Sequence, residues 1–210
     1  MLSFQNFSKS YNNVPVLVVP VLHIPQGIHW IKGANGSGKT TFFKSLAGII
    51  PAAGDVFLDD TISLRSDPVT FRQRVNYSEA EPVYPDFLTA KDLIRFIGKT
   101  KGSNNAQQTK LLQQLGIDAF FEKPCKTYSS GMLKKVSIAL AFLGSPKVII
   151  LDEPLITLDT NARNVLFHLI HESVMEYHTT FLISSHQSIE ERIVKITRTF
   201  CIENKTIVPA

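Results

Sequence analysis

The spacing of apolar positions changes along the chain, and the changes mark out its elements. Leu2-Ser3-Phe4-Gln5-Asn6-Phe7 alternates with period two, the pattern of a strand with one buried face. Tyr11-Asn12-Asn13 reads as a turn, and Val14 to Val21 as one or two further strands. Ile28, Trp30 and Ile31 form a short apolar strand. Thr41 to Ala47 predicts a helix that ends near Gly48, with Pro51 beyond it. Ala53 to Asp60 reads as a turn into a strand, and Val75-Asn76-Tyr77 as another. From Thr89 to about Gly116 the period is helical, with a polar break at Lys101-Gly102-Ser103-Asn104-Asn105. A second helical run covers Gly131 to Leu143. Val148-Ile149-Ile150-Leu151 is an unbroken apolar run, as expected of a strand covered on both faces. Asn161 to Tyr177 predicts an amphipathic helix, Thr180 to Ile183 a strand and Gln187 to Val194 a short helix. Ile196 to Val208 reads as a closing hairpin that turns at Asn204-Lys205. Strands alternating with helices predict an α/β fold with a largely parallel sheet. The helix-only stretch from Thr89 to Tyr128 interrupts it as an inserted helical subdomain.

Composition narrows the class. At 210 residues, 44% of them apolar, the chain is expected to form one domain, 1–210, with an ample core. No stretch is long and apolar enough to span a bilayer. The most apolar run, Val14 to Ile24, is broken by Pro15 and Pro20. The N-terminus lacks the basic-then-apolar order of a signal peptide. Cys125 and Cys201 have no metal-type spacing and read as plain thiols in a reducing cytoplasm. The net charge of +4 is scattered, with Lys134-Lys135 as the only adjacent basic pair, so nucleic acid is not an expected partner. A mildly basic surface also suits a position near anionic lipid heads. His168, His171 and His178 have no carboxylate or cysteine to complete a metal site and read as a solvated helix face.

The candidate chemistry begins at Gly33-Ala34-Asn35-Gly36-Ser37-Gly38-Lys39-Thr40. Gly, four residues, then Gly-Lys-Thr is the phosphate-binding loop, and it lies between a predicted strand and a predicted helix. Its glycines let successive backbone N–H groups turn inward around an anion, and the helix dipole adds to that field. Gly33, Asn35, Gly36, Ser37, Gly38, Lys39, Thr40 and Thr41 are the expected nucleotide-binding residues. Lys39 would reach the β- and γ-phosphates, and the Thr40 hydroxyl would bind Mg²⁺. Asp152 and Glu153 end the buried strand, where ligands bind in open α/β sheets. Asp152 is placed for the Mg²⁺ shell and Glu153 for polarising an attacking water. His186 ends the next strand, within reach of the γ-phosphate.

These residues, in this order, resemble the ATP-binding cassette family, the motor subunits of ABC transporters. The resemblance runs from Leu2 to about Glu203. Tyr11 stands where the family has an aromatic that stacks on adenine. Tyr128-Ser129-Ser130-Gly131-Met132 stands at the signature, usually Leu-Ser-Gly-Gly-Gln. Leu158-Asp159 matches the end of the loop after Glu153, and His186 the switch histidine. The resemblance implies a P-loop NTPase core of RecA type with an antiparallel β subdomain and a helical subdomain. The core would be 1–80 and 132–210, and the helical part 81–131. It also implies ATP and Mg²⁺ as ligands, and Lys39, Glu153 and His186 as the catalytic set. Ser129, Ser130, Gly131 and Met132 would act in trans on the nucleotide of a second cassette, with Asp159 in a dimer loop. A membrane permease would be the partner, and the inner face of the cell membrane the location.

The chain departs from the family in two places. Ala80 stands where a glutamine usually contacts Mg²⁺ and the membrane subunit, unless a one-residue slip puts Glu79 or Glu81 there. Ile156 replaces a frequent serine. A transporter ATPase is the leading reading. A soluble cassette outside transport and a degenerate regulatory cassette are the alternatives.

Overall fold

The computed structural model describes residues 1–185 and 195–210. The predicted helix from Gln187 and the predicted site residue His186 lie outside them. Among the described residues, ten strands form two sheets. β1 (Leu2–Tyr11), β2 (Val14–Ile24), β4 (Ala53–Leu58) and β5 (Ile62–Ser63) make an antiparallel sheet in the order β2-β1-β4-β5. The second sheet runs β10-β9-β3-β8-β7-β6, from β3 (Ile28–Lys32), β6 (Val75–Ser78), β7 (Val148–Leu151), β8 (Thr180–Ser184), β9 (Arg198–Glu203) and β10 (Thr206–Pro209). Of its described strands only β10 is antiparallel.

Val14 to Ile24 is one strand, longer than the sequence suggests, despite its two prolines. β2 is an edge strand, where a missing N–H breaks no ladder. The ladder steps over Pro20, and Asn6 on the neighbouring strand bends to a positive φ of 49° there.

The apolar run of β7 is explained by two cores. Ile149 and Leu151 point into one core, Val148 and Ile150 into the other. The first core lies under α3 (Ala90–Lys101), α4 (Asn105–Leu115), α5 (Ser130–Ala141) and α6 (Thr160–Tyr177). The second lies between the sheets and includes Phe42, Phe43 and Leu46 of α1 (Lys39–Leu46). The predicted helical insert therefore shares its core with the parallel sheet, since Ala90, Ile94, Leu111 and Leu115 join the same cluster as Ile149.

A helix the sequence reading passed over, α2 (Pro68–Arg74), precedes β6. Its start was legible: Asp67 accepts a hydrogen bond from the Thr70 N–H at 3.3 Å, and Pro68 opens the first turn. β5, only two residues long, has no periodicity to read. The closing hairpin turns at Asn204 and Lys205, both at positive φ (48° and 64°), as a two-residue loop between twisted strands requires.

The strands β3, β6, β7 and β8 run parallel and in register, so their C-terminal ends share one edge. Gly33, Glu79, Asp152 and Ser185 follow those ends, and this edge carries the site.

Candidate nucleotide site

The loop from Gly33 to Gly38 joins β3 to α1. Gly36 and Gly38 take positive φ of 76° and 105°, values that a side chain rarely tolerates. At Gly36 an added Cβ would meet nothing within 4 Å, whereas at Gly38 it would lie 3.2 Å from Val16 Cγ1. The β1–β2 hairpin thus rides directly over the loop. Tyr11, at the tip of that hairpin, is half exposed, with Lys9 Nζ 4.7 Å from its ring centroid.

Gly38 is the N-cap of α1, and it supplies no side-chain cap. The first-turn N–H groups of such a helix favour an anion. The Lys39 ammonium donates to the Gly33 carbonyl at 2.7 Å and to the Ala34 carbonyl at 3.2 Å. It therefore lies inside the loop, next to the cradle it was expected to serve.

Three hydroxyls converge on the Asp152 carboxylate, which is 1% exposed. Thr40 Oγ1 donates to Oδ2 at 2.8 Å, Tyr77 OH donates to Oδ2 at 3.2 Å, and Ser184 Oγ donates to Oδ1 at 2.6 Å. Burial, and next the Asp152 charge, push the Tyr77 phenol well above its usual range, so it stays protonated and a donor. A hydroxyl beside a carboxylate oxygen is a hard donor set, and it fits Mg²⁺. Sequence reasoning named Thr40 and Asp152 but missed Tyr77 and Ser184. The signal available was a polar tip on each of two buried strands.

The Asp152–Glu153 peptide is fixed from both edges. The Glu153 N–H donates to Ser184 Oγ at 3.0 Å, and the Asp152 carbonyl accepts from Lys134 Nζ at 3.0 Å. Glu153 itself sits at φ 45°, a left-handed conformation that costs a non-glycine residue free energy and clusters at functional sites.

Ser129 caps α5, accepting from the Met132 N–H at 3.2 Å. Ser129 and Ser130 are exposed, while the Met132 side chain packs half-buried on the helical core. Tyr128 anchors the segment, donating toward the Lys123 carbonyl at 2.8 Å and accepting from the Ala90 N–H at 3.0 Å. Gly131 is tight for a reason inside the chain, since an added Cβ would sit 2.9 Å from the Thr157 carbonyl oxygen. Asp159 caps α6 by accepting from the Ala162 N–H at 2.8 Å, and it pairs with Lys135 of α5 at 3.0 Å. Those two contacts, in that order, hold its carboxyl below the usual range.

Ala80 directs no polar side chain at the site. Glu79 is turned to Lys44 of α1, with 3.7 Å between charged atoms, and its N–H donates to Ser137 Oγ at 3.2 Å.

A phosphate loop facing a strand-end carboxylate on a parallel sheet defines a P-loop NTPase core. The family model described as "ABC transporter" matches residues 22–156. The chain is 32% identical over 188 residues to the lantibiotic transport ATP-binding protein SrtF of Streptococcus pyogenes, covering 89% of this chain and 80% of that one. It is 30% identical to the uncharacterized ABC transporter ATP-binding protein YxlF of Bacillus subtilis, covering 89% of this chain and 62% of that one. The mouse glucosylceramide transporter is 28% identical, and this chain spans 8% of its length. Among solved structures, an ATP-binding subunit of an ABC transporter superposes with a TM-score of 0.88 at 24% identity, covering all of this chain and 89% of that one. A dimeric cassette with ADP and Pi superposes at 0.82 and 19% identity, over 99% of this chain and 96% of that one. The chain belongs to the ABC transporter family of ATP-binding cassettes.

Proposed function

We propose that this chain binds and hydrolyses ATP with Mg²⁺, and that two cassettes close head to tail on two nucleotides to drive a separate membrane subunit. The observation that carries the reading is the contact between Thr40 and Asp152, which joins the phosphate loop to the carboxylate strand. The loop N–H groups and Lys39 bind the phosphates, Thr40 and Asp152 hold the metal, and Tyr11 stacks on the base. Mg²⁺, when bound, neutralises charge on the phosphate oxygens. Glu153 orients the attacking water through its carboxylate, and the backbone at φ 45° sets where that carboxylate points. His186 is assigned the family's switch role on its sequence position alone. Ser129, Ser130, Gly131 and Met132 present the N-terminus of α5 to the nucleotide of the second cassette, and Asp159 ties the neighbouring loop to α5. Residues 81–131 act as the helical subdomain on a core of 1–80 and 132–210.

The membrane subunit is assigned to a groove of about 320 Å³ beside the Ala80 loop, lined by Ile49, Glu79, Val83, Tyr84 and Lys101. Val83 in its lining is 85% exposed, and Phe87, four residues further along the chain, is 78% exposed; apolar side chains so bare suit a protein contact. No described helix is long and apolar enough to cross a membrane. Membership of the ABC transporter family, rather than that absence, supports a place on the inner face of the cell membrane, held there by the partner.

Binding of ATP by the wild type and by Lys39→Ala tests the reading. Removing a charge-assisted contact of about 2–3 kcal/mol should weaken ATP on the order of 100-fold. Equal affinities would contradict it.

A further inference from the structure

Lys134 is fully buried, at 0% exposure. Its ammonium forms no ion pair within 4.0 Å among the described residues, although the Asp152, Glu153, Glu79 and Glu81 charges lie near enough to act on it. It donates to three backbone carbonyls: Glu79 at 2.6 Å, Ala80 at 3.0 Å and Asp152 at 3.0 Å. An ammonium has three N–H donors, and here each has an acceptor. Burying a charge is costly unless it is fully hydrogen-bonded, so the arrangement makes a strict demand on all three carbonyls at once. One turn further along the same face of α5, Ser137 accepts from the Glu79 N–H at 3.2 Å and shares a hydrogen bond with Ser78 at 2.9 Å. The loop that carries Ala80 is thus gripped through its backbone.

We infer that Lys134 is a positioning residue that ties the signature helix α5 to the Ala80 loop and to the Asp152–Glu153 peptide. The inference rests on the ATPase reading above. Lys134 lies five residues beyond Ser129, about 7.5 Å along a rigid helix. A displacement of the α5 N-terminus reaches the carbonyls of residues 79, 80 and 152 through one buried side chain, whose head is held by all three. The Asp152 carbonyl belongs to the peptide whose N–H, on Glu153, is held by Ser184. Lys134 and Ser184 together therefore fix the plane from which the Glu153 carboxylate projects. In a chain with alanine at position 80, this backbone grip does the joining that a side-chain amide would do. A lysine that only satisfied three carbonyls would affect stability and leave catalysis unchanged.

The test compares wild type, Lys134→Met, Lys134→Gln and Lys134→Arg in Mg-ATP hydrolysis, fluorescent-ATP binding and thermal melting. Lys134→Met removes all three donors at similar length. It should bind ATP within about threefold of wild type while kcat falls about tenfold, the size of effect a coupling residue has. Lys134→Arg should recover most of kcat. Lys134→Gln, which keeps two N–H donors, should lie between, and it gives a folded variant if the methionine variant is unstable. Wild-type kcat in Lys134→Met, or a kcat that tracks melting temperature alone with no recovery by arginine, would overturn the inference. A wild-type chain that binds no ATP would instead overturn the ATPase reading beneath it.

Discussion

Thr40 and Asp152 are 112 residues apart in sequence, and the Thr40 hydroxyl donates to the Asp152 carboxylate at 2.8 Å. The contact exists because α1 starts at the end of β3, and β7 lies two strands away with its end at the same edge. One hydroxyl and one carboxylate oxygen are thereby brought together for a hard cation.

Tyr77→Phe tests how that carboxylate is aimed. The change keeps the ring and removes one of the three hydroxyls on Asp152. A lost hydrogen bond to a charged group is worth about 1.5–3 kcal/mol when buried. The Mg²⁺ concentration needed for half-maximal hydrolysis should rise about tenfold or more, with ATP binding in the absence of metal unchanged. An unchanged metal dependence would show that Tyr77 only packs.

Ser129 has two separable duties. As N-cap it stabilises α5, and Ser129→Ala should cost about 1 kcal/mol, a fall of roughly 2–4 °C in melting temperature for a domain of this size. As part of the trans contact it should also reduce the ATP-driven association of two cassettes. Differential scanning calorimetry measures the first effect and light scattering with ATP the second. The cap effect without the association effect would confine Ser129 to a structural role.

A pH effect follows from Lys101. Burial, and after it the Arg72 charge, push its ammonium down to about 8. The Lys101 head donates to the carbonyls of Arg72 and Val75. The unfolded chain keeps that proton up to its ordinary pKa near 10.4. Between about pH 8 and 10 the unfolded state therefore binds more protons, and this group makes stability rise with pH. Below pH 8 both states hold the proton, and the cost of charge burial is constant. Lys101→Met should flatten the rise, measured as the urea midpoint at pH 7.5, 8.5 and 9.5. Parallel curves for the two proteins would refute the assignment.

The phosphate loop, Asp152-Glu153 and the Ser129 cap were legible because each is a local pattern tied to one strand or helix end. The two-core coverage of β7 was legible too, since Val148 to Leu151 has no polar face to offer water. Tyr77, Ser184 and Lys134 were not, because their partners come from other elements and only the sheet register sets those pairings. Lys134 read as half of a basic pair, and its burial depends on α5 lying against β6. Helix α2 was overlooked although Asp67-Pro68 announced it, since no apolar period of useful length followed. The consequence of Ala80 could not be read either: the loop is joined through carbonyls, and these carry no sequence signature.

Glu153→Gln gives the most direct test of the central claim. The substitution keeps the shape of the side chain and removes the charge that would orient water. The account predicts ATP affinity near that of wild type, hydrolysis reduced about 100-fold or more, and a stable ATP-bound dimer seen by light scattering. Hydrolysis at the wild-type rate with no trapped dimer would contradict it.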